Sequence, residues 1–232
     1  MKYSIFFLSA LCLGLSGQLV TRIAVIDTGL DLSDPRFKDS LCATGHKDLT
    51  GSGMKDTNGH GTHIAGLIRN TAGPGNYCLI IVKYYIENVP ESEHVKRSVQ
   101  AVEYAASLGA EYVNYSGGGG NFEEREYLAI KEHPKTLFIV AAGNEGHNLA
   151  EHPYYPASYN SENIIAVGNL TAELTRAKSS NYGSKVNAWE VGENRLSDLP
   201  CTEAHLVRCY GAKSGTSQAT AVHTGNLLKG AK

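Results

Sequence analysis

Five short apolar runs constrain the fold more than anything else in this chain. They are Arg22–Asp27, Leu79–Tyr84, Glu111–Tyr115, Thr136–Ala141 and Ile164–Gly168. As a set they are rich in β-branched residues, and none alternates cleanly between apolar and polar. That is the pattern of strands buried on both faces. Helical patterns lie between them. Ser92–Leu108 carries Val95, Val99, Val102 and Ala106 at three- and four-residue spacing. Phe122–Glu132 carries Leu128 and Ile130 and stops at His133-Pro134, and Ser217–Lys229 closes the pattern. This alternation predicts an α/β fold: a doubly wound, mostly parallel sheet with helices on both faces. Ligands bind such sheets at the carboxyl ends of the strands. Asp27, Ser116 and Gly143 fall at or just after those ends. Ser197–Cys209 reads as a loop or hairpin.

With 232 residues the chain can build one domain with a substantial core. A formal net charge of −2 supplies no electrostatic footprint for nucleic acid. At the N-terminus, Lys2 precedes the apolar run Ile5 to Leu15, which falls short of the ~20 residues that span a bilayer. Small residues follow, with cleavage expected after Ser16 or Gly17. Residues 1–17 thus read as a signal peptide and 18–232 as the mature domain, secreted or periplasmic, with no stable membrane association. Removing Cys12 with the signal leaves Cys42, Cys78, Cys201 and Cys209, an even number suited to an oxidising compartment. Of three pairings, Cys201–Cys209, closing a short loop, and Cys42–Cys78 are favoured.

Three polar segments carry the chemistry. Asp27-Thr28-Gly29 ends a strand, Asn58-Gly59-His60-Gly61-Thr62-His63 opens a helix, and Ser214-Gly215-Thr216-Ser217 opens another. A serine hydroxyl is a poor nucleophile unless a base lies within hydrogen-bond reach and a third group holds that base's tautomer. His60 would take the Ser217 proton through Nε2, and Asp27 would hold Nδ1–H. Ser217 at a helix N-terminus places backbone N–H groups where an oxyanion would form. His60 and His63 share a helix face, but no third ligand has metal-site spacing, so no metal is expected.

Asp27-Thr28-Gly29, His60-Gly61-Thr62-His63-Ile64-Ala65-Gly66 and Gly215-Thr216-Ser217 together resemble the signature segments of the subtilisin family of serine endopeptidases. The order Asp, His, Ser is that family's. A pepsin-like chain would carry a second Asp-Thr-Gly, and none is present. The resemblance implies an endopeptidase acting on polypeptide substrates through an acyl-enzyme, without a cofactor. It implies that Asn144, within Ala141-Ala142-Gly143-Asn144-Glu145-Gly146, donates to the oxyanion beside the Ser217 N–H. It implies that Ser116, Gly117 and Gly118 pair with substrate backbone, the two glycines leaving room for peptide side chains. Tyr155-Pro156-Ala157 would form the wall of the pocket for the residue before the scissile bond, with Tyr154 shortening it, and Ala142 and Gly143 would be further substrate-binding residues.

Departures from the family carry their own expectations. Thr220-Ala221 stands where proline is common, a position that is not a reactant. Arg36 replaces an acid that binds calcium in many members, and Asn70–Tyr77 is short, so no strong calcium site is expected there. The first strand follows closely on the signal and leaves no room for a folding prodomain. Either the domain folds unaided, or a separate folding partner or inhibitor chain assists it. Glu87, Glu91 and Glu93 make one edge of the cleft acidic, which suggests basic residues upstream of the cleaved bond. Activity is expected to rise with pH as His60 deprotonates near ~6.5. Two rivals stand beside the endopeptidase: a peptide-binding pseudoenzyme with the same fold, and an esterase using the same triad.

Overall fold

The computed structural model describes residues 20–201 and 209–229. The expected signal segment, 1–17, lies outside them. Seven parallel strands form the main sheet in the order β2-β3-β1-β4-β5-β6-β7. They are β1 (Thr21–Asp27), β2 (Lys47–Asp48), β3 (Tyr77–Lys83), β4 (Tyr112–Tyr115), β5 (Leu137–Ala141), β6 (Ile164–Leu170) and β7 (Ala188–Val191). Among the described residues four α-helices accompany them: α1 (His60–Ala72), α2 (Glu91–Ser107), α3 (Glu124–Lys131) and α4 (Thr216–Lys229). All five expected strands are present. The two the sequence reading missed are β2, only two residues long, and β7, whose Ala-Trp-Glu-Val is half-buried at the sheet edge.

Side chains of β1 alternate between two cores, as strand geometry requires. Ile23 and Val25 pack with Ile64 and Ile68 of α1 and with Ala221 and Leu228 of α4. Ala24 and Ile26 pack on the other face with Val102 and Ala105 of α2 and Ile130 of α3. Each fully buried branched side chain contributes roughly 1.5–3 kcal/mol. The near-continuous apolar runs follow directly from helices covering both faces.

The chain runs from β1 out to β3, then crosses to β4 on the opposite side of β1. The crevice this opens at the carboxyl ends of β1 and β4 is where a ligand is expected in such a sheet. Asp27 ends β1 and Ser116 follows β4 there.

Beyond the main sheet, β8 (Arg195–Asp198) pairs antiparallel with β9 (Tyr210–Lys213). Part of the expected loop or hairpin is thus strand β8, and residues 202–208 of it lie outside the described residues. Two features tie this hairpin to α1. Buried His63 directs Nε2 at the carbonyls of Arg195 (3.0 Å) and Gly211 (3.1 Å). Fully buried Asp198 accepts from Arg36 at 3.0 Å and Arg69 at 2.8 Å. His63 is therefore a packing residue of the hairpin. Disulfides join Cys42 to Cys78, with Cα atoms 4.8 Å apart, and Cys201 to Cys209, 5.0 Å apart. The first staples the segment before β2 to β3, and the second joins the two sides of the hairpin.

Candidate functional site

Asp27 is buried at the end of β1, and its carboxylate faces the first residue of α1. His60 Nδ1 lies 2.8 Å from Asp27 Oδ1 and 3.0 Å from Oδ2. An N–H on Nδ1 satisfies both contacts, which leaves Nε2 as the free base nitrogen. The His60 side chain retains 28% exposure. Burial opposes the imidazolium, but the Asp27 charge and hydrogen bond outweigh it. The net direction is upward from the ordinary histidine value.

The turn that delivers His60 is built around Asp56, a residue the sequence reading passed over. Asp56 is 5% exposed. Its Oδ1 accepts from Thr28 Oγ1 (2.8 Å), Asn58 N (3.0 Å) and Gly59 N (2.8 Å). Its Oδ2 accepts from Thr62 N (2.8 Å) and Thr62 Oγ1 (2.7 Å). Gly59, at φ 86°, offers no side-chain cap, so Asp56 satisfies an orphan N–H of the first turn from outside the helix. The same carboxylate bonds Thr28, the neighbour of Asp27. One group therefore fixes the ends of β1 and α1 relative to each other. The signal that could have revealed it is Asp56-Thr57-Asn58-Gly59, an Asx-turn composition directly before the helix.

Ser217 stands in the first turn of α4 and is 9% exposed. Its Oγ donates to the Ser116 carbonyl at 3.4 Å, and no hydrogen bond joins it to His60 among the described residues. A hydroxyl rotates freely about its Cα–Cβ bond, and such contacts commonly tighten only when substrate is bound. Asn144, in the exposed segment after β5, accepts through Oδ1 from Thr216 N (2.9 Å) and Thr216 Oγ1 (3.1 Å). Those two donors require an oxygen at that position, so Nδ2 is the end that Asn144 keeps available.

Ser116, Gly117 and Gly118 border a cavity of about 310 Å³ with Asp27, His60 and Tyr154. No backbone hydrogen bond engages Gly117 or Gly118 among the described residues. Their peptide groups form an open strand edge of the kind that accepts an extended peptide. Asn114 holds this edge in register. It donates to Ser116 Oγ at 3.2 Å and accepts from Thr224 of α4 at 3.0 Å.

Two tyrosines and a backbone carbonyl shape the space beside the two glycines. The Tyr84 hydroxyl packs against the side-chain position of Gly117. A Cβ on Gly118 would lie 2.5 Å from Tyr154 Cε1, and one on Gly143 would lie 2.9 Å from Tyr154 Cγ. The Tyr154 ring is thus packed between the Gly118 edge and the Ala142–Gly143 segment. The missing side chains thus let Tyr84, Tyr154 and the Tyr155 carbonyl approach this edge closely, while Gly117 and Gly118 still border the open cavity.

The arrangement offers a hydroxyl at a helix N-terminus, an oriented imidazole, an amide donor and a free strand edge. The family model described as the Subtilase family matches residues 20–229. The chain is 32% identical over 232 residues to the major intracellular serine protease of Bacillus subtilis (strain 168), covering 93% of this chain and 69% of that protein. It is 29% identical to the minor extracellular protease Epr of the same organism, covering 89% of this chain and 31% of that protein. Its fold superimposes on the crystal structure of a lanthipeptide protease with a TM-score of 0.76 at 22% identity, over 90% of this chain and 72% of that one.

Proposed function

The chain belongs to the subtilase family of serine proteases, and from that membership we propose an exported endopeptidase with Ser217, His60 and Asp27 as its catalytic residues. Ser217 Oγ attacks the substrate carbonyl carbon while its proton passes to His60 Nε2. The carbonyl π electrons move to oxygen, and the resulting oxyanion takes hydrogen bonds from Asn144 Nδ2 and the Ser217 N–H. Collapse expels the amine, which receives the proton from His60, and an acyl-enzyme remains. Water, deprotonated by His60, then attacks the ester carbonyl. A second collapse frees the carboxylic acid and returns the proton to Ser217. Asp27 stabilises the imidazolium at each stage without being protonated itself. Ser116, Gly117 and Gly118 pair with the substrate backbone. Ala142, Gly143 and Tyr154 line the space for the residue before the scissile bond.

One observation carries this reading. Asp27 leaves a single base nitrogen of His60 free, and Thr216 leaves the amide N–H of Asn144 free. Both groups are oriented in advance of any substrate, which is the condition under which they lower a barrier. Export rests on the 1–17 segment and on two disulfides, bonds that persist in oxidising compartments. The relatives include both an intracellular and an extracellular protease.

The test is labelling of the mature, secreted protein with a fluorophosphonate, followed by peptide mapping. Ser217 should carry the adduct, the secreted chain should begin near residue 17 or 18, and peptide as well as ester substrates should be hydrolysed. Ser217→Ala should lower kcat by roughly 10⁶, the loss measured for a subtilisin nucleophile. Undiminished hydrolysis in Ser217→Ala would refute the mechanism, and turnover of esters alone would make the protein an esterase.

A further inference from the structure

A second cavity, of about 280 Å³, adjoins the first and shares Tyr84, Tyr85 and Gly118 with it. It opens beside Gly118 and Gly119, where the strand edge leads away from Ser116. Its volume is below the ~300–1,000 Å³ typical of small-molecule sites and suits one long side chain. Three carboxylates line it, from Glu91, Glu123 and Glu126, and no lysine or arginine does. We infer that this cavity is a recognition pocket for a basic side chain of the substrate, lysine or arginine, with Glu126 at its inner end and Glu91 at its mouth. The inference rests on the protease reading above and names the substrate class for the same cleft.

Glu126 is the decisive group. It is 5% exposed, on the cavity side of α3, and takes no part in the proposed chemistry. The Tyr159 hydroxyl donates to its Oε2 at 2.9 Å. Among the described residues no cation pairs with it. A buried carboxylate without a cation is costly to keep charged. Burial accordingly pushes its pKa up, against hydrogen bonds from Ser98, Tyr159 and Tyr115. An ammonium or guanidinium entering from the substrate would supply the partner that the protein itself lacks.

The walls suit the stem of such a side chain. Tyr85 and His94 stack with centroids 4.3 Å apart and planes 14° from parallel. Both line the cavity, together with Tyr155. Aromatic faces attract cations, and the methylenes of lysine or arginine pack on them. Burial, then the nearby Arg97 charge, lowers the His94 pKa, so its imidazole favours the neutral form that does not repel a cation. Arg97 is itself directed to Glu93, at 4.0 Å.

The position of the recognised residue follows from strand pairing. Ser116 lies against Ser217, and an extended substrate advances one residue per residue along the edge. A side chain entering beyond Gly118 therefore belongs about three or four residues before the attacked carbonyl.

A positional-scanning peptide library tests this in two modes: cleavage by the parent enzyme and capture by Ser217→Ala. Lysine and arginine should be enriched at one position in that range. The preference over a neutral isostere should fall by roughly tenfold or more in Glu126→Gln, as expected when a buried charge pair loses a partner. It should also weaken in Glu91→Gln, an exposed site where folding is not at stake. Cleavage without basic enrichment, or enrichment intact in both variants, overturns the pocket and leaves Glu126 as a core hydrogen-bond acceptor. Capture that selects basic residues without any cleavage by the parent overturns the protease reading and supports the pocket. Failure in both modes overturns both.

Discussion

Asn144 Oδ1 accepts two hydrogen bonds from Thr216, the residue immediately before Ser217. The segment after β5 and the start of α4 are thereby locked together, and the amide of Asn144 can present only its N–H to the cleft. Asn144→Ala should reduce kcat by ~10²–10³ with little change in KM, a magnitude known from the corresponding change in a subtilisin. Asn144→Asp keeps the acceptor for Thr216 but removes the donor, so it should be impaired similarly. Near-parent kcat in either variant would show that the oxyanion is held elsewhere.

The Asp27–His60 pair sets the pH dependence. The base form of His60 is the active one, and its pKa is raised above the ordinary value by Asp27 against the opposing effect of burial. Activity should therefore be lost as pH falls through a midpoint above ~6.5. This moves the sequence-based expectation upward. Asp27→Asn removes the two largest raising influences and leaves burial opposed only by the more distant Asp56 charge, so the midpoint should drop while kcat falls by about 10⁴. A pH–rate profile of kcat/KM for both proteins decides it: an unmoved midpoint would mean that another group titrates.

Asp56 should matter although it touches no substrate. Asp56→Ala strands five donors on Thr28, Asn58, Gly59 and Thr62. Losing hydrogen bonds to a buried charged acceptor should cost about 2–3 kcal/mol in chemical denaturation. The displaced His60 should lower kcat by about 10² in the fraction that still folds. Asp56→Asn presents an NH₂ group to the two Thr62 donors and should also be impaired. If it matches the parent in both stability and kcat, the positioning role is refuted.

Tyr154 should restrict the residue before the scissile bond. Its ring is packed between Gly118 and Gly143, so the parent should cleave after alanine, glycine or serine in preference to phenylalanine or leucine. Tyr154→Gly should raise kcat/KM for the large residues by roughly tenfold or more, since each methylene accommodated is worth ~1–3 kcal/mol. Parent enzyme that already prefers phenylalanine there would rule the ring out as the restriction.

The central strands and the long helices were legible because both faces of the sheet are covered. Burial on two sides writes an apolar, β-branched run, and one-sided burial writes a helical stripe. The edge strand β7 was not legible, since half-burial leaves no distinctive pattern in Ala-Trp-Glu-Val. Asp27, His60 and Ser217 could be named because each sits in a short polar segment whose composition is local. Asp56 was missed because its importance depends on donors contributed by β1, the preceding turn and α1 at once. The surroundings of Gly117 and Gly118 were not legible for a related reason. Whether the space beside a glycine is empty depends on side chains distant in sequence, here Tyr84 and Tyr154.

By itself, then, the sequence determined the α/β class and the family, and it singled out the candidate reactive groups. Those properties are carried by short runs of neighbouring residues. Only the tertiary structure decided how the cleft is furnished. It turned the Asn144 amide, raised the His60 pKa, filled the space between Gly118 and Gly143 with a phenol, and set a buried carboxylate beside the substrate edge. Each of these depends on which distant side chains are brought within a few ångströms, because hydrogen bonding, desolvation and steric exclusion act through space and not along the chain.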